Sequence, residues 1–152
     1  MSACAFWWFE WRYWGAYPKQ LIQFDSQAVA DLYPILMKHG MNQKLVVHFT
    51  DASCPCESYR VAHVDKLEHM LDSSHQVNIN PAEQTRLRVN IPATPAVAIW
   101  DEDGEFAYFG PYSSGMTCGA GLDFIDLVFN KLADGVNPSW LNTQGYGCFC
   151  AL

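Results

Sequence analysis

Residues 45–60, LVVHFTDASCPCESYR, constrain this chain more than any other stretch. Leu45 to Phe49 is a short apolar run with the β-branched content of a buried strand. Thr50 to Ser53 break it, and Cys54, Pro55 and Cys56 follow. Val61, Val64, Leu67 and Leu71 then recur at spacings of three and four, the mark of one helix face. Two cysteines therefore stand where a strand hands over to a helix, and Pro55 suits helix initiation. Unpaired N–H groups and the positive end of the helix dipole favour an anion there. The thiolate, the reactive form of cysteine, is such an anion. The competing expectation is a pair of buried, inert cysteines.

The 152 residues are 50% hydrophobic and 16% charged, enough for one domain with a substantial core. A net charge of −7 and the absence of any basic run argue against nucleic-acid binding. Six cysteines exceed what a cytosolic protein ordinarily carries and are too few for a disulfide-stapled miniature. Four of them form two Cys-x-Cys pairs, Cys54/Cys56 and Cys148/Cys150, so chemistry is expected rather than scaffold.

A second segment, NIPATPAVAIW at residues 90–100, places Thr94-Pro95 directly before the apolar run Ala96 to Trp100. The CPC stretch and this TP-strand, in that order, resemble the thioredoxin-like superfamily. The resemblance covers about residues 21–133. It implies an α/β fold with a central mixed β-sheet flanked by helices on both faces. It also implies a cis bond at Pro95 facing the cysteines, in preference to Pro92. Members usually have two residues between the cysteines; here Pro55 alone intervenes. At the position of His48 a thioredoxin commonly has a buried Asp that takes a proton from the second cysteine. His48 either inherits that role or is a hydrogen-bonded core histidine.

Around these motifs the chain reads in order. Residues 3–17, ACAFWWFEWRYWGAY, belong to an N-terminal arm (residues 1–20) with aromatic residues on every helical side. Its uncharged run is shorter than a spanning helix needs, and it lacks the features of a signal peptide. It suits the outer end of a membrane anchor or an interfacial helix, or else an aromatic lid packed on the domain or a partner surface. Leu21 to Phe24 reads as a first strand. Asp25 and Ser26 cap a helix carrying Ala28, Val29, Leu32, Leu36 and Met37 on one side, which Pro34 should kink or split, and His39-Gly40 ends it. His75 to Ile79 reads as an edge or third strand, and Pro81 to Arg88 as a helical turn. DEDG at 101–104 is a turn before a return strand, Glu105 to Phe109. Gly119 to Leu132 is an amphipathic last helix ended by Asp134-Gly135. Together these give the order βαβαβαββα. Residues 134–152, rich in Asn, Gly and aromatics, read as an irregular tail ending in Cys148-Phe149-Cys150.

The favoured function is thiol–disulfide exchange, its direction open between oxidase, reductase and isomerase. Cys54, expected to be the more exposed thiol, attacks a protein or small-molecule disulfide, and Cys56 resolves the mixed disulfide. Pro55, Thr94 and Pro95 contact substrate, Thr94 through its backbone. Cys118, Cys148 and Cys150 act as further resolving cysteines or form a structural disulfide; Cys4, in the aromatic arm, is expected to be exposed. No cofactor is expected. Two rivals stand: a zinc or Cu(I) site on the cysteines, and a redox-inactive binding module. No Gly-rich phosphate loop or Ser/His/Asp arrangement occurs. His39, His63, His69 and His75 form no ligand pattern, and His63, Glu68 and His69 are expected on the solvated side of the helix. Cysteine usage and the aromatic arm favour a periplasmic or otherwise extracytoplasmic, membrane-proximal setting over the cytoplasm.

Overall fold

A computed structural model of the chain describes residues 12–17, 26–37, 43–71, 74–81, 91–115, 122–142 and 144–152. Cys4, Cys118, the strand at Leu21 to Phe24, Asp25, His39-Gly40, most of the Pro81 to Arg88 turn and the side chains of Leu67, Glu68 and His69 lie outside the described residues. So do residues 1–11 of the arm.

The chain is mixed α/β. Its main sheet has five strands in the order β3-β2-β5-β6-β9. These are β2 (Lys44–Phe49), β3 (Ser74–Ile79), β5 (Ala96–Trp100), β6 (Phe106–Gly110) and β9 (Trp140–Leu141). β2 runs parallel to β3 and antiparallel to β5, while β6 is antiparallel to β5 and parallel to β9. The apolar run at 45–49 thus lies inside the sheet and the run at 96–100 at its centre, each buried along nearly its whole length. Such strands read as continuous apolar runs because neither face meets water.

Alternation along the strands separates two cores, since side chains at i and i+2 share a face. Leu45, Val47, Phe49, Ala96, Ala98 and Trp100 pack with Val29 and Leu32. Those two belong to the short helices α1 (Ser26–Ala30) and α2 (Leu32–Leu36). Val46, Val97 and Ile99 pack instead with Leu71 of α3 (Glu57–Leu71) and with Ile125, Val128 and Phe129 of α4 (Phe124–Ala133). The break between α1 and α2 falls at Asp31, three residues before Pro34. Pro34 is thereby in the first turn of α2, where a missing N–H costs no helical bond.

Three expectations are corrected. Val61, assigned to the buried face of α3, is 47% exposed, whereas His63, assigned to the solvated side, is 1% exposed. The buried stripe is rotated onto Cys56, His63 and Leu71, with Val64 half-buried beside them. The last helix starts at Phe124 rather than Gly119. Asp123, in extended conformation, caps it by accepting from the backbone N–H groups of Ile125 and Asp126. Finally, the tail is not irregular. After β9 come β10 (Tyr146–Cys148), antiparallel to β1 (Trp14–Ala16), and β11 (Cys150–Ala151), antiparallel to β4 (Ala93–Thr94). β7 (Ser113–Ser114) and β8 (Leu122–Asp123) form a further small pair. These strands are too short for a two-residue period to show in the sequence.

The described end of the arm packs on the domain, as the lid reading expects. Tyr17 is buried, donates its hydroxyl to the Ala93 carbonyl at 3.3 Å and meets Phe149 edge-on. No helix among the described residues is long and apolar enough to cross a membrane.

The cap on α4 is testable. Asp123→Ala removes an acceptor shared by two backbone donors and should cost about 1 kcal/mol, a fall in Tm of about 2–4 °C. Calorimetry checks this, and an unchanged Tm would show that the cap contributes nothing.

Candidate active site

The site is built where β2 hands over to α3. Asp51 organises the loop: its carboxylate accepts from the Ser53 N–H at 2.8 Å and the Ser53 hydroxyl at 2.7 Å. Glu57, in the first turn of α3, reaches back to accept from the Asp51 N–H at 2.9 Å and pairs with Arg60 Nε at 2.7 Å. The loop is thus fixed from both sides of Cys54-Pro55-Cys56.

Neither cysteine of this motif is a free thiol. Cys54 is bonded to Cys150 and Cys56 to Cys148, with Cα–Cα distances of 6.0 and 5.3 Å. The pairing is antiparallel: the later cysteine of the tail meets the earlier cysteine of the motif. The expected contrast in exposure is therefore absent, Cys54 being 5% and Cys56 0% exposed beneath the tail, with Pro55 exposed between them. The sulfurs of Cys54, Cys56 and Cys150 all lie within 4.8 Å of one another.

The Thr94-Pro95 bond is cis, and the Thr94 carbonyl oxygen lies 3.8 Å from the Cys54 sulfur. Thr94 pairs with Cys150 across the β4–β11 ladder, and the Leu152 N–H donates to the Pro92 carbonyl. Every described cysteine and the TP segment thus converge at one place, including Cys148 and Cys150 from the far end of the chain.

His48 has the geometry of a hydrogen-bonded core histidine. Its Nε2 lies 3.2 Å from the Gln76 side-chain oxygen, which can only accept, so Nε2 carries the proton. Nδ1 then accepts from the Tyr112 hydroxyl at 2.6 Å. Both ring nitrogens are engaged, and a proton-transfer role requires one of these bonds to open. Burial, opposed by the Gln76 bond, pushes the His48 pKa down to about 4. Burial also pushes the Tyr112 phenol up, so it stays a neutral donor.

Four residues not singled out for the site from the sequence complete it: Tyr59, Arg60, Tyr112 and Asp123. His63 joins them. Its Nε2 lies 3.3 Å from Asp123 Oδ1, outside hydrogen-bond geometry, and its ring meets Tyr112 edge-on. Trp14, Tyr59, Arg60, His63, Tyr112 and Cys148 line an open cleft of about 450 Å³ beside the Cys56–Cys148 bond. The spacing of Cys56, Arg60 and His63 is a legible signal for this wall, since i, i+4 and i+7 share one helix face.

Residues 22–152 match a family described as "Domain of unknown function (DUF6436)", a span that includes both Cys-x-Cys pairs. No curated protein matches the chain. Two solved structures are similar to it. An uncharacterized conserved protein from Geobacillus kaustophilus is 16% identical, with a TM-score of 0.48 over 72% of this chain and 76% of its own. A hypothetical protein from Sinorhizobium meliloti is 16% identical, with a TM-score of 0.47 over 81% of this chain and 82% of its own.

The buried His48 makes stability depend on pH in a stated direction. Its folded pKa of about 4 lies below the ordinary 6.5, so between these values the unfolded chain binds a proton that the folded one does not. The contribution is complete above pH 6.5 and is lost as pH falls towards 4, by up to about 3 kcal/mol. Denaturant melts at pH 7 and 4.5 should show a steeper loss for the native chain than for His48→Gln; equal slopes refute the assignment.

Proposed function

The chain belongs to the DUF6436 family, and from its cysteine geometry we propose that it is a thiol–disulfide oxidoreductase on a thioredoxin-like fold, with α1 and α2 on one face of the sheet and α3 and α4 on the other. The observation that carries this reading is the trio of sulfurs, Cys54, Cys56 and Cys150, within 4.8 Å of one another at the start of α3. A thiolate freed from any one of them stands within a side-chain rotation of the others. Attack by an incoming thiolate on Cys54 breaks Cys54–Cys150 and releases the Cys150 thiolate. That thiolate can attack Cys56, forming Cys56–Cys150 and releasing Cys148. Each step exchanges one S–S bond for another, so electrons balance, and the proton of the incoming thiol ends on the sulfur released. The start of α3 favours the anionic form throughout, and Arg60 partly offsets Glu57 nearby.

Loop-closure reasoning supports exchange over stapling. The Cys54–Cys150 bond spans 96 residues and in the chain-entropy model stabilises by roughly 4–5 kcal/mol. Once it exists, Cys56–Cys148 closes a ring of only a few residues, and the same model gives about 2 kcal/mol. A second staple beside the first is poorly placed for stability and well placed for reaction. Two disulfides suit an oxidising compartment, so the reading includes a periplasmic or other extracytoplasmic setting. The substrate is a thiol or disulfide, with no nucleic acid involved.

The gathered sulfurs also favour a second reading. Reduced, Cys54, Cys56, Cys148 and Cys150 are four soft thiolates suited to Zn(II) or Cu(I). Metal analysis of the chain purified under reductant separates the two: stoichiometric metal that survives desalting favours the second.

Replacing Cys56 and Cys148 together by Ser leaves the longer bond intact. Turnover of a protein disulfide should fall at least about tenfold, because Cys56, the neighbour of Cys54 in the motif, is lost and only Cys150 remains to resolve a mixed disulfide on Cys54. Tm should fall by about 4–8 °C, the equivalent of about 2 kcal/mol. Unchanged turnover would sink the part given to Cys56 and Cys148, and no turnover by the native chain would sink the oxidoreductase reading.

A further inference from the structure

The tail is seated at the cysteines as an extended peptide would be. Its backbone pairs with Ala93 and Thr94, the Leu152 N–H reaches the Pro92 carbonyl and the Phe149 N–H reaches the Tyr13 carbonyl. Cys148 and Cys150, with one residue between them, engage Cys56 and Cys54 together. Phe149 turns away between them and packs on Tyr17 at a ring separation of 5.0 Å. A one-residue spacing matters because in extended chain i and i+2 point to the same side. Adjacent cysteines, or cysteines with two residues between them, put their sulfurs on opposite sides and engage only one of the pair.

Resting on the oxidoreductase reading, we propose that the groove beside β4 is a binding site for client segments of one class: extended peptides with a Cys-x-Cys sequence and an aromatic or large apolar middle residue. The tail is the resident occupant, and a client takes its place. Tyr17 receives the middle side chain, and the backbone of residues 92–94 receives the strand. In the exchange, one client thiolate displaces Cys150 from Cys54 and the other displaces Cys148 from Cys56. Two S–S bonds break and two form, and the two client protons pass to the tail sulfurs, so no outside oxidant or reductant is needed.

The test uses the full-length chain carrying Cys148→Ser and Cys150→Ser, which leaves Cys54 and Cys56 as thiols, and, in parallel, the fully reduced native chain. The probes are synthetic peptides of the tail sequence GYGCFCAL in which both cysteines are mixed disulfides with an aromatic thiol, whose release is read by absorbance. Companion peptides have none or two residues between the cysteines, or Ser in place of the Phe. The Cys-Phe-Cys peptide should release both aromatic thiolates at least about tenfold faster than the altered spacings. Mass spectrometry should find it bonded to both Cys54 and Cys56. The Ser peptide should fall between. Rates independent of spacing, with single bonding to Cys54, overturn the groove while leaving the oxidoreductase reading standing. Reaction no faster than that of free cysteine with every peptide, in both chains, overturns both.

Discussion

Two short cysteine segments, joined twice and running antiparallel, hold the remainder of the site in place. Cys54–Cys150 and Cys56–Cys148 fasten the tail across the start of α3. The strands so fastened, β10 and β11, have three and two residues. Isolated ladders of that length are marginal in water. Their neighbours β1 and β4 are equally short and gain a partner only because the tail is held there. The wall of the cleft, Gly147 to Phe149, is therefore a consequence of the covalent pairing. Without the disulfides the same contacts are ladders of two and three residue pairs, weak on their own.

The sheet supplies a buried, hydrogen-bonded layer beside the site. His48 lies between Gln76 and Tyr112, and its ring stacks parallel to that of Tyr112. Burial keeps both groups neutral at ordinary pH. A neutral, fully engaged layer contributes no competing charge to a thiolate forming above it. Glu57 and Arg60 place opposite charges 2.7 Å apart in the first turn of α3, leaving the helix terminus as the main local field.

What could be read from the sequence was what local patterns encode. Leu45 to Phe49 and Ala96 to Trp100 are continuous apolar runs because they are covered on both faces. The break near Pro34, the DEDG turn and the stop at Asp134-Gly135 follow from the chemistry of single residues. The turn is closed by Asp101, whose carboxylate accepts from the N–H groups of Asp103 and Glu105, with Gly104 at φ 81°. The convergence of Cys54 and Pro95 was legible because two local motifs occur in a recognisable order. The partners of the cysteines were not, since six cysteines allow many connectivities and no local rule selects among them. His63 was misplaced for a related reason. A periodicity argument puts valines inward and histidines outward, whereas here Tyr112 and Asp123, distant in sequence, form a half-polar surface that takes the imidazole and leaves Val61 outside.

The departure of CPC from the usual two-residue spacing has a physical reading once the partner segment is known. Cysteines two residues apart along an extended backbone are roughly 6.6–7 Å apart at their Cα atoms and face the same way. Cys148 and Cys150 are spaced so by the strands on either side of Phe149. Cys54 and Cys56, in the turn that opens α3, meet both at once, at Cα separations of 6.0 and 5.3 Å from Cys150 and Cys148. A pair with its second cysteine a full turn into a helix could meet one tail sulfur but would carry the other partner away along the helix surface. Pro55 lies in a turn closed by the Glu57 N–H, which donates to the Cys54 carbonyl at 3.1 Å, and its fixed φ suits both that turn and the helix that follows. Both spacings are then a single feature: two segments, each with one residue between its cysteines, joined sulfur to sulfur at both positions.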